Sequence, residues 1–287
     1  MIIHNPISGS GRARRHMKAI TAELEAHGHQ VEPQSSEGPS LSAALARDAG
    51  PRCDAVISVG GDGTHNSVIN QLIGRPLPLL PVPAGTENIL SKSVRIPAAP
   101  AAIRRILEAG RVRRFDVGLA NGHAFAVMSG VGFDATVTHE VHSNRRGPIG
   151  RHWYFWPTFR TLVTYRWPRL AVEVDGELIV RDAAFVVVGN MRLYANYLHV
   201  CANALPDDGL LDVCIYTRPG ALNLVGYFLA TRFERHLSRQ DVLYRQGRHI
   251  VVRSDEPGVL FQVDGDAAGT APVEYTVSPG ALSMVVP

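Results

Sequence analysis

The first 117 residues alternate between short apolar runs and amphipathic helical patterns, and this alternation constrains the fold more than any other feature. The apolar runs predict short buried strands, at residues 2–3, 30–31, 55–59 and 79–82. The helical patterns lie between and after them, at residues 12–27, 40–49, 66–73, 87–94 and 100–109. Strands that alternate with helices form parallel sheets with helices on their faces. We therefore expect an α/β domain in this part of the chain.

After Asp116 the pattern changes to closely spaced apolar runs with few helical segments. An Asn-Gly pair at residues 121–122 and an Asp-Gly pair at 175–176 favour hairpin turns. Strand-like runs recur at 124–129, 170–174, 178–188, 210–216, 249–253, 259–263, 273–277 and 281–286, and helical segments lie near 134–143, 152–165 and 219–236. This pattern is typical of an antiparallel β-sandwich. We expect two domains, an α/β domain over residues 1–117 and a mostly antiparallel β-sandwich over 118–287.

The composition argues against several classes of function. The chain has 29 Lys and Arg against 26 Asp and Glu, which gives a net charge of +3. Nucleic-acid-binding proteins have a concentrated basic surface, and so small an excess of basic residues does not indicate one. No run approaches the ~20 apolar residues of a membrane-spanning helix, and no signal peptide is expected at the N-terminus. The 3 cysteines are odd in number and lack zinc-site spacing. We expect a cytoplasmic protein, with contact to the inner face of the membrane left open.

The most informative motif is the run Gly-Gly-Asp-Gly-Thr at residues 60–64, which follows a predicted strand and opens a predicted helix. Glycine in such a loop lets the backbone approach a ligand and point N–H groups at phosphate, and the helix N-terminus adds a favourable dipole. Asp62 would repel phosphate unless a divalent cation or a reacting hydroxyl lies between them. The alternative is an ordinary glycine-rich turn in which Asp62 caps the helix.

Two further loops follow predicted strands, at residues 5–11 (Asn-Pro-Ile-Ser-Gly-Ser-Gly) and at residues 83–88 (Pro-Ala-Gly-Thr-Glu-Asn). Each is a weak signal alone, because Gly and Ser are ordinary turn residues. Loops at the carboxyl ends of neighbouring strands line the crevice where open α/β sheets bind ligands. The three loops together therefore predict one phosphate-binding site.

Taken together, these motifs resemble the diacylglycerol kinase catalytic-domain family, which includes bacterial lipid kinases and sphingosine kinases. In the first domain the resemblance is carried by Asn5-Pro6 with Ser8-Gly9, by residues 60–64, and by Gly85-Thr86 with Asn88. It continues through the second domain, at Phe115-Asp116-Val117-Gly118, Gly132-Phe133-Asp134-Ala135, Gly189-Asn190, residues 206–212 and Val263-Asp264-Gly265-Asp266. The order and spacing of these motifs are more specific than any one of them.

The resemblance implies a cytoplasmic lipid kinase of phospholipid metabolism that transfers the γ-phosphoryl group of ATP to a lipid hydroxyl with Mg²⁺. It implies that Asp62 and Asp116 organise the catalytic Mg²⁺ through waters and that Asp266 is the general base. It implies a structural Mg²⁺ held by the Leu205 carbonyl, Asp208 and the Leu210 carbonyl. The residues that it places at ATP are Asn5, Pro6, Ile7, Ser8, Gly9, Ser36, Gly60, Gly61, Asp62, Gly63, Thr64, His65, Asn66, Ser67, Gly85, Thr86 and Asn88.

Three positions depart from the family pattern. Ser67 stands where the family often has Glu, Ile89 where many members have Asp, and Asp266 where the family has Glu. The last change shortens the general base by one methylene, and a displacement of about 1 Å can cost ~100-fold in rate. Two alternatives therefore stay open. One is a soluble small-molecule kinase of the NAD kinase type, and the other is a catalytically impaired nucleotide- or lipid-binding relative.

Residues 145–156 (Arg145 to Trp156) mix arginines with aromatic residues, a composition suited to a membrane interface. Two interpretations of this segment are open: peripheral contact with a membrane, or aromatic rings that belong to the core under a loop. Residues 220–235 carry Leu222, Val225, Leu229 and Phe233 at helical spacing, and core packing is expected for them.

Three polar side chains have an ordinary structural explanation beside a functional one. Asp134 is predicted to cap a helix rather than to act in catalysis. His65 and His123 lie near the proposed site loops, and a surface or hydrogen-bonded histidine is the favoured interpretation of each. The oligomeric state, including a homodimer, is left open.

Overall fold

The computed structural model describes residues 1–287 except Glu37, Pro51, Arg52, residues 144–160, Val163 and Asn196. The chain divides into two compact units, Met1–Phe115 with Gly280–Pro287, and Asp116–Pro279. Two strands, β5 (Val112–Ala120) and β18 (Val273–Val285), contribute residues to both units.

The first unit is an α/β domain. Its parallel strands are β1 (Ile2–His4), β2 (Pro33–Ser35), β3 (Val56–Gly60) and β4 (Leu79–Pro83). Its helices are α1 (Arg12–Ala26), α2 (Pro39–Asp48), α3 (Asp62–Leu72), α4 (Ile89–Ser93) and α5 (Pro100–Ala109). From β1 the chain adds β2 on one side of β1, and it then adds β3 and β4 on the other side, so the order in which strands are added reverses between β1 and β3. Open sheets bind ligands beside such a reversal, at the carboxyl ends of the strands.

Local sequence explains why these elements form where they do. Every residue of β3 is buried, as expected for a central parallel strand covered on both faces. Helix α1 buries Ala13, Ile20 and Leu24 along one face. Helix α5 starts at a proline and ends before Gly110, whose φ of 61° closes the helix. The helix expected at residues 100–109 agrees with α5 in the structure.

The second unit is an antiparallel β-sandwich. Its elements besides β5 and β18 are β6 (His123–Phe125), β7 (Met128–Val131), α6 (Phe133–Ser143), β8 (Leu170–Val174), β9 (Glu177–Ala183), β10 (Phe185–Gly189), β11 (Leu193–Tyr194), β12 (Leu198–His199), β13 (Leu211–Tyr216), α7 (Ala221–Arg232), a 3-10 turn (His236–Ser238), β14 (Val242–Gly247), β15 (His249–Ser254), β16 (Leu260–Val263) and β17 (Asp266–Thr270). One sheet has the order β14-β13-β10-β7-β16-β17, and the other contains the first part of β18 with β15, β8 and β9, and the hairpin β5–β6. Val172, Ile250 and Tyr275 of one sheet and Val186 and Phe261 of the other belong to one buried core.

Asx-Gly pairs close three of the hairpins in this unit. Each pair has positive φ at both residues, as a type I′ turn requires, and both Asx-Gly pairs expected from sequence are among them. The φ values are 48° and 83° for Asn121-Gly122, 49° and 84° for Asp175-Gly176, and 47° and 88° for Asp264-Gly265.

The predicted fold class, an α/β domain with a mostly antiparallel β-sandwich, is confirmed. Several boundaries differ. The strand expected at 30–31 lies at Pro33–Ser35, the run 178–188 forms two strands, and the runs 273–277 and 281–286 form the single strand β18. Strand β17 was missed because it is largely exposed, and β14 was missed because its burial does not alternate along the strand. Both depend on pairing, β14 with β13 and β17 with β16.

The expected core role of the apolar residues in α7 is wrong. Leu222, Val225, Leu229 and Phe233 are exposed, whereas Tyr227 and Thr231 fill the buried face of the helix. Helical spacing identifies residues that share a face, but it does not tell which face the rest of the protein covers. None of the helices in the described residues is long and apolar enough to cross a membrane.

Candidate active site

The predicted loops after β3 and β4 are in direct backbone contact. Gly60 O accepts hydrogen bonds from the N–H groups of Ala84 and Gly85, at 2.8 and 3.0 Å. A Cβ on Gly85 would lie 2.5 Å from the Gly61 Cα, closer than real Cβ atoms approach another atom. Glycine is therefore required where the two loops touch, and these two candidate loops form one surface.

The predicted loop after β1 joins the same surface through Arg12. Its Nε donates to Gly9 O at 3.2 Å and its Nη2 donates to Gly85 O at 2.7 Å. Gly9 has a φ of 58°, and a Cβ there would lie 2.0 Å from Ala84 O. Arg12 was not predicted as a site residue, because nothing in its local sequence distinguishes it from the other arginines of α1.

Asp62 is the first residue of α3, and its carboxylate lies at the N-terminus of α4. Its Oδ1 accepts the Leu90 N–H at 3.1 Å. Burial raises the pKa of Asp62, and hydrogen bonds from the backbone amides at Asn88, Ile89 and Leu90 oppose that rise. The carboxylate therefore caps α4, which no local pattern around residue 62 indicated.

His65 has a buried imidazole that contacts two serine hydroxyls. Its Nδ1 lies 2.9 Å from Ser58 Oγ and its Nε2 lies 3.3 Å from Ser91 Oγ. Burial lowers the pKa of His65 to about 3, so the ring is neutral at physiological pH. The side chain links β3, α3 and α4, which agrees with the expected hydrogen-bonded histidine.

Several predicted nucleotide-binding residues shape the loops themselves. Asn5 Oδ1 accepts the Ile7 N–H at 3.2 Å. Asn88 Oδ1 accepts the Gly85 N–H at 2.7 Å, and its Nδ2 donates to Gly85 O at 3.0 Å. Ser67 Oγ donates to Gly63 O at 2.8 Å. The bonds of Asn5 and Asn88 hold the loop backbones in place, and the Ser67 bond lies within the first turns of α3.

Three more of the predicted residues lie around this surface. Thr86 is exposed in the loop after β4, and Asn66 lies on α3, where its carbonyl oxygens accept hydrogen bonds from Asn70. Ser36 follows β2, and its hydroxyl is fully buried 2.6 Å from Ser42 Oγ. The closely packed glycines and the loops at strand ends fit the phosphates of a nucleotide.

In the second unit, the predicted Asp116 holds the turn that contains the predicted structural metal site. Asp116 Oδ2 accepts the Gly209 N–H at 2.6 Å, and the Asp116 N–H donates to Pro206 O at 2.7 Å. Asn190 Nδ2 donates to the Asp116 carbonyl oxygen at 2.8 Å. Asp116 is almost fully buried, so the turn is held by hydrogen bonds to a residue in the interior of the unit.

The metal-ligand prediction names Leu205, Asp208 and Leu210 in this turn. Asp208 is exposed, and one of its carboxylate oxygens accepts the Leu210 N–H at 3.0 Å. One carboxylate with backbone carbonyls is a donor set that hard cations accept. In the described part of the chain, no three His, Cys, Asp or Glu side chains form a metal-binding group, so any cation here depends on carbonyl and water ligands.

The two aspartates near the C-terminus have different surroundings. The Asp264 carboxylate accepts the backbone N–H groups of Ala126, Val127 and Met128 at 2.8 to 2.9 Å. Asp266 is exposed at the start of β17, directly after the turn. The Asp264 carboxylate therefore has a structural role, which is to hold the backbone of residues 126–128, and Asp266 does not take part in that arrangement.

Asp134 lies inside the first turn of α6 rather than at its N-cap, because the helix begins at Phe133. Its carboxylate accepts hydrogen bonds from the Tyr194 hydroxyl and from Gln262 Nε2. Burial raises the pKa of Asp134, and these two bonds oppose the rise. The cap prediction is corrected accordingly.

The predicted membrane-contact segment, residues 145–156, lies outside the described residues. Trp167 is described, and its ring stacks on Phe133 with the centroids 5.7 Å apart. Its edge-to-face partner Tyr165 adds to the same aromatic cluster. This tryptophan therefore packs against other rings of its unit.

Comparison with known families gives two matches that together span almost the whole chain. The description "Diacylglycerol kinase catalytic domain" matches residues 1–120. The description "YegS C-terminal NAD kinase beta sandwich-like domain" matches residues 126–286.

Individual proteins agree with these matches. The chain is 30% identical to the diacylglycerol kinase of Mycobacterium tuberculosis, over 99% of this chain and 93% of that protein. It is 25% identical to the diacylglycerol kinase of Bacillus subtilis, over 100% of this chain and 95% of that protein.

Solved structures resemble the fold. A diacylglycerol kinase from Bacillus anthracis superposes with a TM-score of 0.75 at 19% identity, over 100% of this chain and 96% of that chain. Yeast NADH kinase in complex with NADH superposes with a TM-score of 0.56 at 12% identity, over 100% of this chain and 83% of that chain. At these identities the two structures support the fold alone.

Proposed function

Because this chain belongs to the diacylglycerol kinase catalytic-domain family, we propose that it transfers the γ-phosphoryl group of ATP to the hydroxyl group of a membrane lipid. Diacylglycerol is the first acceptor to test, since the named relatives are diacylglycerol kinases. The enzyme would act from the cytoplasmic side, and the two domains would be residues 1–117 and 118–287.

The observation that carries the proposal is the contact among the three glycine loops of the first unit. Arg12 and the backbone of Gly60 hold the loops against one another, with Asp62 at their edge. Phosphoryl transfer depends on positioning and charge stabilisation rather than on covalent steps by the protein. A set of glycine loops held rigidly against one another is suited to that task, because it needs no reorganisation when negative charge develops.

Asp62 and Asp116 are the residues that we propose to organise a catalytic Mg²⁺. Bound Mg²⁺ would neutralise negative charge on the phosphate oxygens. A carboxylate beside a phosphate loop is compatible with nucleotide binding if a cation or a reacting hydroxyl lies between them, and a cation is the choice that we propose. We also propose a structural Mg²⁺ at the turn of Leu205, Asp208 and Leu210.

Asp266 is proposed as the general base that accepts the proton of the lipid hydroxyl. The alternative carboxylate in the same hairpin, Asp264, already accepts three backbone N–H groups and fixes residues 126–128. Those backbone donors already occupy its two oxygens, which are therefore poorly available to a lipid hydroxyl. Asp266 is exposed and stands where the family has its acid, so it is the stronger candidate.

The test is phosphate transfer by the purified protein from isotope-labelled ATP to a mixed lipid extract, with Mg²⁺. Mass spectrometry identifies the labelled product, and ADP release is measured in the same samples. We expect one lipid class to gain a labelled phosphate, in proportion to the ADP formed. Asp62→Asn serves as the inactive control.

Two outcomes would overturn this function and support an alternative. In a parallel sample that contains NAD and other soluble metabolites, phosphorylation of one of them, with no labelled lipid in the extract, would indicate a small-molecule kinase. Saturable binding of ATP without transfer to any acceptor would indicate an impaired relative, the alternative that the departures at Ile89 and Asp266 raise.

A further inference from the structure

Helix α7 presents an apolar surface to solvent. We call the side chains of Leu222, Val225, Phe228, Leu229 and Phe233 the α7 face. Leu222 is 89% exposed and Phe233 is 67% exposed. Residues 222, 225 and 229 are three, four or seven positions apart and therefore lie along one side of the helix. Contiguous exposed apolar surface of this kind marks an interaction site more often than scattered single residues do.

The opposite side of α7 fixes the helix to its own unit. Tyr227 is buried, and its hydroxyl accepts the Arg218 N–H at 3.1 Å. The Tyr227 ring packs against Tyr216 with the centroids 4.7 Å apart, and the Arg239 guanidinium lies 5.0 Å from its centroid. Thr231 is also buried on this side. Helix α7 is therefore packed against its own unit through the side of Tyr227 and Thr231. The α7 face lies on the other side and stays exposed although the helix is firmly held.

Arginines flank the α7 face. Arg232 is the last residue of the helix and Arg235 lies three residues beyond it, and both are exposed. Within the part of the chain that the structure describes, neither guanidinium forms an ion pair, whereas Arg239 is bonded to Asp241 at 2.8 Å. The helix itself contains no acidic residue. Exposed apolar side chains with adjacent cations are the composition of a helix that lies at an anionic membrane surface.

We propose that the α7 face docks on the surface of an anionic lipid bilayer, with Leu222, Leu229 and Phe233 inserted below the headgroups and Arg232 and Arg235 at the phosphates. The proposal rests on the proposed function, because a kinase of membrane lipids must reach its acceptor in the bilayer. Long arginine side chains can keep the guanidinium among the headgroups while their methylenes lie along apolar surface.

A second copy of the chain is the competing occupant of this face. In a two-fold dimer the same patch meets itself, so the arginine end of α7 would face either the same end or the opposite end of the partner copy's α7. Helix α7 carries no carboxylate at either end, and Glu234, which lies between the two arginines, is hydrogen-bonded to His199 at 2.8 Å, so neither arrangement neutralises Arg232 and Arg235. Anionic headgroups neutralise the arginines instead, and this favours the bilayer.

The test compares Leu222→Ser with Leu178→Ser in vesicle flotation. Leu178 is a matched control, since it is an exposed leucine on β9 of the same unit, 38% exposed. With vesicles of phosphatidylcholine containing phosphatidylglycerol, we expect Leu222→Ser to weaken binding ~10-fold, from the loss of one inserted leucine. Leu178→Ser should bind like the unchanged protein. Arg232→Gln with Arg235→Gln should weaken binding to the anionic vesicles and leave the weak binding to pure phosphatidylcholine unchanged.

Turnover on a short-chain, water-soluble diacylglycerol separates this proposal from the proposed function. We expect Leu222→Ser to retain that turnover while losing turnover on vesicles. If the unchanged protein phosphorylates the soluble lipid but does not float with vesicles, docking is overturned and the function stands. If it floats through α7 and phosphorylates no lipid, the function is overturned and docking stands. If ultracentrifugation shows a dimer that Leu222→Ser dissociates with flotation unchanged, the α7 face is an interface between copies and docking is overturned.

Discussion

Asp62 is a buried carboxylate whose hydrogen bonds come from the backbone amides of α4. We predict that Asp62→Asn reduces turnover by at least ~100-fold, because it removes the negative charge proposed to hold a cation at the phosphates. The fold should survive, since the Asn Oδ1 can still accept the Leu90 N–H. Kinase activity and melting temperature are measured on the same preparations.

Asp54→Asn is the matched control for Asp62→Asn, because Asp54 is exposed and precedes β3 rather than following it. It should keep full activity. Activity of Asp62→Asn within a few-fold of the unchanged protein would remove Asp62 from the catalytic centre.

Asp266 differs from its neighbour Asp264 in having an exposed carboxylate at a strand end. We predict that Asp266→Ala lowers kcat by roughly 100- to 10,000-fold, the range for a lost general base, with ATP affinity nearly unchanged. Asp266→Glu should keep or raise kcat, because it restores the longer side chain of the family. Steady-state kinetics and ATP binding by calorimetry distinguish these effects.

Asp264→Asn is the comparison for the two Asp266 variants, since it changes the other carboxylate of the same hairpin. It should lower the melting temperature, because the charged acceptor of three backbone amides is lost. Normal turnover by Asp266→Ala would show that the base is another residue.

His65 makes the stability of the chain depend on pH. Burial lowers its pKa from 6.5 to about 3, so the unfolded state takes up the proton first as the pH falls. Its stabilising contribution is complete above about pH 6.5 and is lost progressively as the pH falls toward 3. We predict that from pH 7 to 5 the unfolding free energy falls by about 2 kcal/mol more in the unchanged protein than in His65→Gln.

Urea unfolding of both proteins at both pH values gives the loss of unfolding free energy in each. The other titrating groups contribute equally to the two losses, so their contributions cancel when one loss is subtracted from the other. Gln can hydrogen bond to Ser58 and Ser91 but does not titrate. Equal losses in the two proteins would mean that His65 does not stay neutral in the fold.

At the scale of elements, the contact between the loops after β3 and β4 is the feature that shapes the candidate site. We predict that Gly85→Ala weakens ATP binding by at least ~10-fold, because the new Cβ would lie 2.5 Å from the Gly61 Cα and 3.1 Å from Asn88 Oδ1. The backbone of one loop must move to relieve the overlap. Calorimetric titration with ATP and Mg²⁺ measures the effect.

Gly38→Ala is the control for this substitution, since a Cβ there meets no atom within 4 Å. It should bind ATP normally. Unchanged ATP affinity in Gly85→Ala would mean that this loop contact does not form part of the nucleotide site.

At the scale of the whole molecule, the last residues of the chain complete the first unit. Met284 is fully buried and pairs with Leu79 of β4, and the Val286 N–H donates to Arg111 O at 2.9 Å. We predict that Met284→Ala destabilises the protein by about 2–5 kcal/mol, the cost of truncating a buried methionine. Hydrogen exchange should increase more in β4 than in β13 of the second unit.

Pro287→Ala is the control, because this residue is exposed at the terminus. It should leave exchange in both strands unchanged. Faster exchange in β13 than in β4 after Met284→Ala would contradict the assignment of the C-terminus to the first unit.

Features that depend on residues close together in the chain were predictable from sequence. The alternation of strand and helix patterns predicted the parallel sheet, and the Asx-Gly pairs predicted two of the type I′ hairpins. The Gly-Gly-Asp-Gly-Thr run was predicted at a strand-to-helix junction, where it lies. Hydrophobic period and turn preference act over a few residues, so they can be recognised without knowledge of the fold.

Features that depend on contacts between distant parts of the chain were decided only by the tertiary structure. Arg12 gains its role from Gly85, Asp62 caps a helix that begins 27 residues later at Ile89, and Asp264 binds amides at 126–128. The α7 face has the spacing of a core stripe, yet Tyr227 and Thr231 occupy the packed side. Local sequence defines which side chains share a face or a turn. Which of them become covered, and which carboxylates receive backbone amides, is set by the packing of elements that are far apart in sequence.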